Sequence, residues 1–303
     1  MIRRIVIVDS STVTPNNLGA NPVMGPSFLS KFVKVPASTL FVSEPPPAWF
    51  GNRANPPAAS PDAAKWTNAN WLKSRFHFSF AEYHDSQRMS FGALRVLNDD
   101  LVQPARGFGE HPHRDQEIVT IVLGPRSLTH QDSMGTAETL TRGAVQFMTA
   151  GTGVRHQEHN HDPENPLRFL QIWFSPRARG LQPNYGSYSP SSEAEYKNVW
   201  SQVVSDVNVG KGKVLINQDV NLFMTEVDAG ASAPPLNVDS GRQVYLVCAE
   251  GSADVRFDSV DAEPVKDTMV QHDAAMVVDA GTLHLSNSDS SKSSLYVAID
   301  LKR

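Results

Sequence analysis

The chain has 303 residues, 40% of them hydrophobic and 19% charged, with 14 Phe, 6 Tyr and 5 Trp. That is enough apolar material for two packed domains, and a net charge of -5 with no long basic block excludes charge-driven attachment to nucleic acid or to an anionic membrane. A single cysteine, Cys248, excludes an intramolecular disulfide scaffold, and no stretch reaches the length of a membrane span.

At the N-terminus, Arg3 and Arg4 precede only the short apolar run Ile5 to Val8, which Asp9 interrupts, a poor secretory signal. Residues 10–43 contain no acidic residue and several Ser and Thr, the composition of an organelle-targeting leader. Ile2 to Val8 also reads as a strand. A cytoplasmic location is expected, with organelle targeting as the alternative. Residues 1–64 read as an irregular extension rich in Pro, Asn, Gly and Ala, including Glu44-Pro45-Pro46-Pro47.

From Trp66 the texture changes. The run Arg75 to Phe80 alternates polar and aromatic residues at the period of a half-buried strand. Arg95-Val96-Leu97 gives a second strand, with Asn98-Asp99-Asp100 as its turn. Glu117 to Leu123 is a third, stopped by Gly124-Pro125, and Ala144 to Met148 and Leu167 to Phe174 follow. Pro176 to Tyr196 is polar and turn-rich and marks a boundary between halves. Beyond it, Lys213 to Ile216, Leu222 to Thr225, Gln243 to Cys248, Ala253 to Phe257, Ala274 to Val278 and Ser294 to Ile299 repeat the strand texture. Cys248, in the apolar run from Val244, reads as a buried, inert thiol. Short strands, turns and no long amphipathic helix predict an all-β fold of two antiparallel β-barrels. The expected division is an extension over 1–64, a barrel over 65–185 and a second barrel over 186–303.

Two motifs carry chemistry: Gly107-Phe108-Gly109-Glu110-His111-Pro112-His113 and Gly151-Thr152-Gly153-Val154-Arg155-His156-Gln157-Glu158. Residues i and i+2 of a strand share a face, so His111 pairs with His113, and His156 with Glu158. Three imidazole nitrogens and one carboxylate suit a divalent ion such as Fe, Mn, Ni or Zn. Glu117 is a rival ligand or a partner to a ligating histidine. His130 reads as a turn histidine, with a contact near the site as the alternative. His159, His161 and Gln157 have the opposite parity and point outward. Phe108, Phe147 and Met148 are core residues that could instead line an apolar pocket. In the second half only His272 and His284 remain, without a paired motif, so that half is expected to be metal-free.

These segments resemble the pirin family, a bicupin group of the cupin superfamily, in particular its bacterial quercetin 2,3-dioxygenase-like members. The resemblance covers about Trp71 to Tyr185. Its carriers are Phe76 to Ala81, Phe91 to Val96, the Gly-Phe-Gly-x-His-Pro-His-Arg segment ending at Arg114, His130 to Gly135, and Thr149 to Glu158. It implies two cupin barrels and one metal, Fe(II) first among the candidates, on His111, His113, His156 and Glu158, with the later Glu preferred over Glu117. It implies opening of a flavonol such as quercetin by O2, with Glu158 taking the substrate's 3-hydroxyl proton. The alternative it implies is a redox-responsive iron protein that acts through a protein partner, with a nuclear location. Neither reading needs nucleic acid or membrane. The chain departs from the family pattern in its long first 64 residues and in Gln157, where Ser is common.

Overall fold

Within the computed structural model, residues 31–303 are described. The strand and leader readings of Ile2 to Val8 lie outside the described residues. The remainder is almost wholly strand and loop, and among the described residues the only helical pieces are 3-10 turns of three or four residues. No helix among the described residues is long and apolar enough to cross a membrane.

The apolar runs become the inner strands of two seven-stranded sheets. In the N-terminal half the order is Asn184–Tyr188, Val145–Thr149, Glu117–Val122, Leu167–Phe174, Leu94–Val102, Leu72–Phe76 and Phe41–Ser43. In the C-terminal half it is Phe32–Val35, Ala274–Val277, Arg242–Glu250, Ser294–Lys302, Val220–Val227, Ser201–Asp206 and Val214–Ile216. Each large sheet is faced by a four-stranded sheet. The N-terminal small sheet runs Arg106–His113, Val154–Asn160, Leu128–Asp132, Ala137–Leu140; the C-terminal one runs Leu236–Val238, Gly281–Ser286, Ser252–Ser259, Val265–Val270. Around each inner strand the same order recurs in both halves.

Both halves were expected as barrels. The hydrogen-bonded strands instead form open, cupin-like sheets, since strands such as Arg106–His113 and Ala137–Leu140 pair along one side only. The fold is all-β, and no sheet closes on itself.

Two of the strands fall in the stretch expected to be irregular. Phe32–Val35 pairs with Ala274–Val277 of the C-terminal sheet, and Phe41–Ser43 pairs with Leu72–Phe76 of the N-terminal one. Asn184–Tyr188 continues the N-terminal large sheet past residue 185 by pairing with Val145–Thr149. The run expected over Arg75 to Phe80 leaves the ladder after Phe76. Conversely, Asn98-Asp99-Asp100 is not a turn but the buried middle of Leu94–Val102. Asp99 at its centre finds partners from distant parts of the chain, Arg168 and His272, which a local pattern does not reveal.

The two large sheets pack face to face. One apolar cluster joins Leu97, Val119, Ile121, Val145, Leu170 and Ile172 to Val204, Ile216, Leu222, Tyr245, Val247, Val297 and Ile299. Polar links lock the same seam. Arg142 is bidentate on Glu250 at 2.9 and 2.8 Å and reaches Glu226 at 3.2 Å. Arg168 is bidentate on Asp99 at 2.8 and 2.6 Å, and Asp99 also meets His272 Nδ1 at 2.6 Å. These bonds hold Asp99 ionised against its burial, well below the usual carboxylate range. Cys248 is buried in the second apolar core, between the C-terminal sheets, and burial pushes its thiol up to about 12, as an inert thiol requires.

Candidate metal centre

The site lies between the two N-terminal sheets. Strands Arg106–His113 and Val154–Asn160 pair antiparallel, with His156 opposite His111 and Val154 opposite His113. The register then slips, so that Glu158 lies opposite Phe108. One residue on one strand, Gln157, answers two on the other, a bulge at Gly109 and Glu110 that re-aims the strand beside the site. Gly107 permits the close approach, because a Cβ there would stand 2.4 Å from the Glu158 carbonyl oxygen. Gly151, at φ +44° with the Leu181 carbonyl oxygen 1.9 Å from where a Cβ would be, turns the chain into Val154–Asn160.

Three imidazoles converge. His113 Nε2 is 2.9 Å from His156 Nε2, and His156 Nε2 is 3.1 Å from His111 Nε2. His111 Nδ1 lies 2.7 Å from the Gly109 carbonyl oxygen, so it carries the hydrogen and leaves Nε2 a bare acceptor. One N–H can bridge only one of the two short contacts, whereas a cation satisfies both. Nitrogens in adjacent positions of an octahedron with bonds of about 2.1 Å stand about 3 Å apart, so the spacing fits a transition ion. Burial keeps all three unprotonated: with the added repulsion of neighbouring rings His113 is pushed down to about 3 and His156 is lowered, and His111 is lowered by burial against the pull of its bond to Gly109. Neutral imidazole is the ligating form.

Glu158 stands beside this trio, one step deeper. It forms a second set with His130 and His156, so the four residues expected as ligands fall into two groups that share His156. Its carboxylate accepts hydrogen bonds from Gln146 (2.8 Å) and Thr120 (3.4 Å) on one oxygen and from Gln171 (2.9 Å) on the other. Burial and the nearby Asp100 charge raise it to about 7, against the pull of those bonds. These residues make a histidine and carboxylate cluster compatible with a divalent metal.

His130 is not a turn residue. It is 1% exposed, on strand Leu128–Asp132 opposite Glu158, stacked on Tyr185 and 3.3 Å from Asp132 Oδ2. Glu117 stands outside both sets. It faces the seam, where it accepts hydrogen bonds from Thr149 Oγ1 (2.9 Å) and the Asn217 backbone N–H (3.1 Å). Asp115, at φ 50°, breaks the extended chain after His113, so strand parity does not carry through to Glu117. His159 and His161 stack on each other outside both sets, and Gln157 bonds to Gln131 on the exposed side.

An apolar wall of Ile118, Met148 and Val154, with Trp173 and Tyr185 against it, flanks the histidines, and the Trp173 ring meets His113 edge-on at 4.8 Å. Of the three pocket candidates, Met148 belongs to this wall. Phe147 faces the seam, and Phe108 packs with Phe50 and Trp71. A recess of about 370 Å³, lined by residues that include Pro112, His113, Ser133, Val154 and Arg155, opens beside His113.

The residues missed from sequence were Thr120, Gln146, Gln171 and Tyr185, and His130 takes the alternative reading, a contact near the site. The first three had a signal: each is a polar side chain in mid-strand of an otherwise apolar run, where a buried partner is required.

A pirin family profile matches residues 60–174, and a quercetinase C-terminal cupin domain profile matches residues 202–299. A pirin-like protein of Caulobacter vibrioides is 37% identical over 203 residues, 66% of this chain and 86% of that one. The chain belongs to the pirin family. Beside this pirin stands the quercetin 2,3-dioxygenase of Escherichia coli K12, 41% identical over 157 residues, 52% of this chain and 65% of the relative. The crystal structure of the bacterial pirin YhhW from Escherichia coli in complex with nickel(II) matches with a TM-score of 0.68 at 27% identity, over 89% of this pirin and 99% of that chain.

Proposed function

We propose that this pirin is a metal-dependent dioxygenase that opens a flavonol such as quercetin with O2. The observation that carries the reading is the convergence of three neutral imidazole Nε2 atoms beside a buried carboxylate. His111, His113, His156 and Glu158 would hold the ion, with Fe(II) first among the candidates and Mn, Ni or Zn as alternatives. A divalent ion bound there supplies Lewis acidity toward a substrate oxygen and a meeting point for O2.

The chain's own groups do the rest. Glu158 is the base, taking the substrate's 3-hydroxyl proton on a carboxylate oxygen. Gln146, Gln171 and Thr120 hold that carboxylate in place. Ile118, Met148, Val154 and Trp173 exclude water and offer a flat aromatic molecule an apolar wall. The recess beside His113 falls within the volume range of small-molecule sites. The names of the relatives point the same way.

The test is anaerobic reconstitution with Fe(II), followed by oxygen uptake and carbon monoxide release with quercetin, with Glu158→Gln as control. Metal-dependent turnover that collapses in the variant is expected. Bound iron without turnover would overturn the flavonol reading in favour of a redox-responsive protein that acts through a partner.

A further inference from the structure

Glu158 hangs from the small sheet, yet its carboxylate is held by side chains of the large one. Of these, Gln146 has two ends to offer, an amide NH2 and an oxygen. Its Nε2 lies 2.8 Å from Glu158 Oε1, and its Oε1 lies 2.9 Å from Tyr185 Oη. A phenolic hydrogen donated to that oxygen keeps the NH2 turned toward the carboxylate. Tyr185 also stacks on His130, with centroids 4.6 Å apart and planes at 22°, and the His130 ring stands 5.2 Å from that of His156.

The same hydroxyl has a second suitor. Tyr185 Oη is 2.7 Å from Glu138 Oε2, and Glu138 Oε1 accepts a hydrogen bond from Ser187 at 2.7 Å. Tyr185 and Ser187 lie on the edge strand of the large sheet, and Glu138 lies on the edge strand of the small one. One hydroxyl hydrogen therefore faces two acceptors. Donated to Gln146, it fixes the amide. Donated to Glu138, it ties the two sheet edges together and leaves the Gln146 amide held at its nitrogen end alone, by Glu158 Oε1 at 2.8 Å and Thr120 Oγ1 at 3.0 Å, with its oxygen end unanchored.

We propose that Tyr185 is a positioning residue for Glu158, acting through Gln146, and that Glu138 competes for its hydrogen. The inference rests on the reading of Glu158 as a metal ligand. It separates two roles that a single clasp would merge. If Tyr185 only held the sheet edges, loss of either clasp partner would have the same effect. As a positioning residue, Tyr185 matters to the metal and Glu138 does not.

The experiment titrates full-length, metal-free protein with Co(II), reading affinity and the visible ligand-field spectrum, beside thermal melting, for Tyr185→Phe, Glu138→Ala and Glu158→Gln. Tyr185→Phe is expected to weaken Co(II) binding about tenfold, as loss of a group that orients a ligand does, and to change the spectrum. Glu138→Ala is expected to lower the melting temperature while binding Co(II) at least as tightly as the wild type. Wild-type affinity and spectrum in Tyr185→Phe, with weakened binding in Glu158→Gln, would overturn the positioning role and leave the ligand reading intact. Equal losses of affinity in Tyr185→Phe and Glu138→Ala would reduce the pair to a clasp and overturn it too. Unchanged binding in Glu158→Gln would remove the ligand reading and the proposal with it.

Discussion

Asn160 and Asn287 make the same set of contacts in the two halves. Asn160 Nδ2 reaches the carbonyls of Val102, Gln103 and Asn165 at 3.2, 3.2 and 2.9 Å. Asn287 Nδ2 reaches those of Val227, Asp228 and Lys292 at 3.1, 3.2 and 2.8 Å. With these residues matched, the ladders align the halves strand by strand. His156 opposite His111 corresponds to Leu283 opposite Leu236, and Glu158 opposite His130 to Leu285 opposite Val255. His113 opposite Val154 corresponds to Val238 opposite Gly281. The polar cluster of one half is therefore apolar core in the other.

That correspondence gives the first prediction. In the absence of metal, His156 is a desolvated imidazole whose Nδ1 is buried without a partner, whereas the matching Leu283 is fully at home. His156→Leu should leave the metal-free protein as stable as the wild type or more so, by about 1 kcal/mol or about 2 °C. It should also abolish the rise in melting temperature that a divalent ion gives the wild type. Melting curves with and without Ni(II) check both. A metal-free variant that melts far lower would show that the imidazole is needed for packing.

Arg142 carries the second prediction. Arg142→Met leaves Glu226, 7% exposed, and Glu250, both on the C-terminal side of the seam, without their shared cation. A fully buried pair broken this way costs several kcal/mol; part exposure of Arg142 reduces the expectation to about 2 kcal/mol. Adding Glu250→Met should recover part of the loss, since the remaining charge then has no like neighbour. Urea midpoints of the single and double variants measure it, and additive losses would count against the coupling.

What the sequence made legible follows from which relations are local. His111 with His113, and His156 with Glu158, are two positions apart, and strand alternation alone puts each pair on one face. His130 and Glu117 were misplaced because their surroundings depend on non-local register. His130 reaches the site only through pairing with Glu158, and Glu117 loses it through the left-handed Asp115. Asn98, Asp99 and Asp100 read as a turn for the same reason: Arg168 and His272, which hold Asp99 in mid-sheet, are far away in the chain. The open sheets in place of barrels depend on which strand edges stay unpaired, and no single segment encodes that.

Gly107 gives the third prediction. A Cβ there would meet the Glu158 carbonyl oxygen at 2.4 Å and His159 Cα at 2.7 Å, and backbone cannot move aside as a flexible side chain can. Gly107→Ala should push Arg106–His113 away from Val154–Asn160, costing about 1–3 kcal/mol and separating His111 from His156. Divalent-ion affinity should fall by more than tenfold. Gly135→Ala is the control: Gly135 has φ +96° and open space around a would-be Cβ. It should show backbone strain of about 1 kcal/mol with unchanged metal affinity. Loss of binding in the control as well would mean that general destabilisation, not strand spacing, empties the site.

The fourth prediction concerns pH and the seam. His77 is fully buried against the C-terminal half, with Nδ1 3.0 Å from Tyr245 Oη and Nε2 without a partner. Burial outweighs the attraction of Asp99 and pushes its pKa down to about 4. Between that value and the usual 6.5, the unfolded chain binds a proton that the folded one refuses, so stability rises with pH across this window. The contribution is present in full above about pH 6.5 and is lost as the pH falls through the window to about 4, by about 3 kcal/mol if the whole shift is expressed. His77→Gln keeps a side chain able to hydrogen-bond Tyr245 but cannot titrate. Its urea midpoint should therefore change less than that of the wild type between pH 7 and pH 4.5, with the difference growing as the pH falls. Parallel pH dependence in the two proteins would place the acid sensitivity in other buried groups and clear His77 of it.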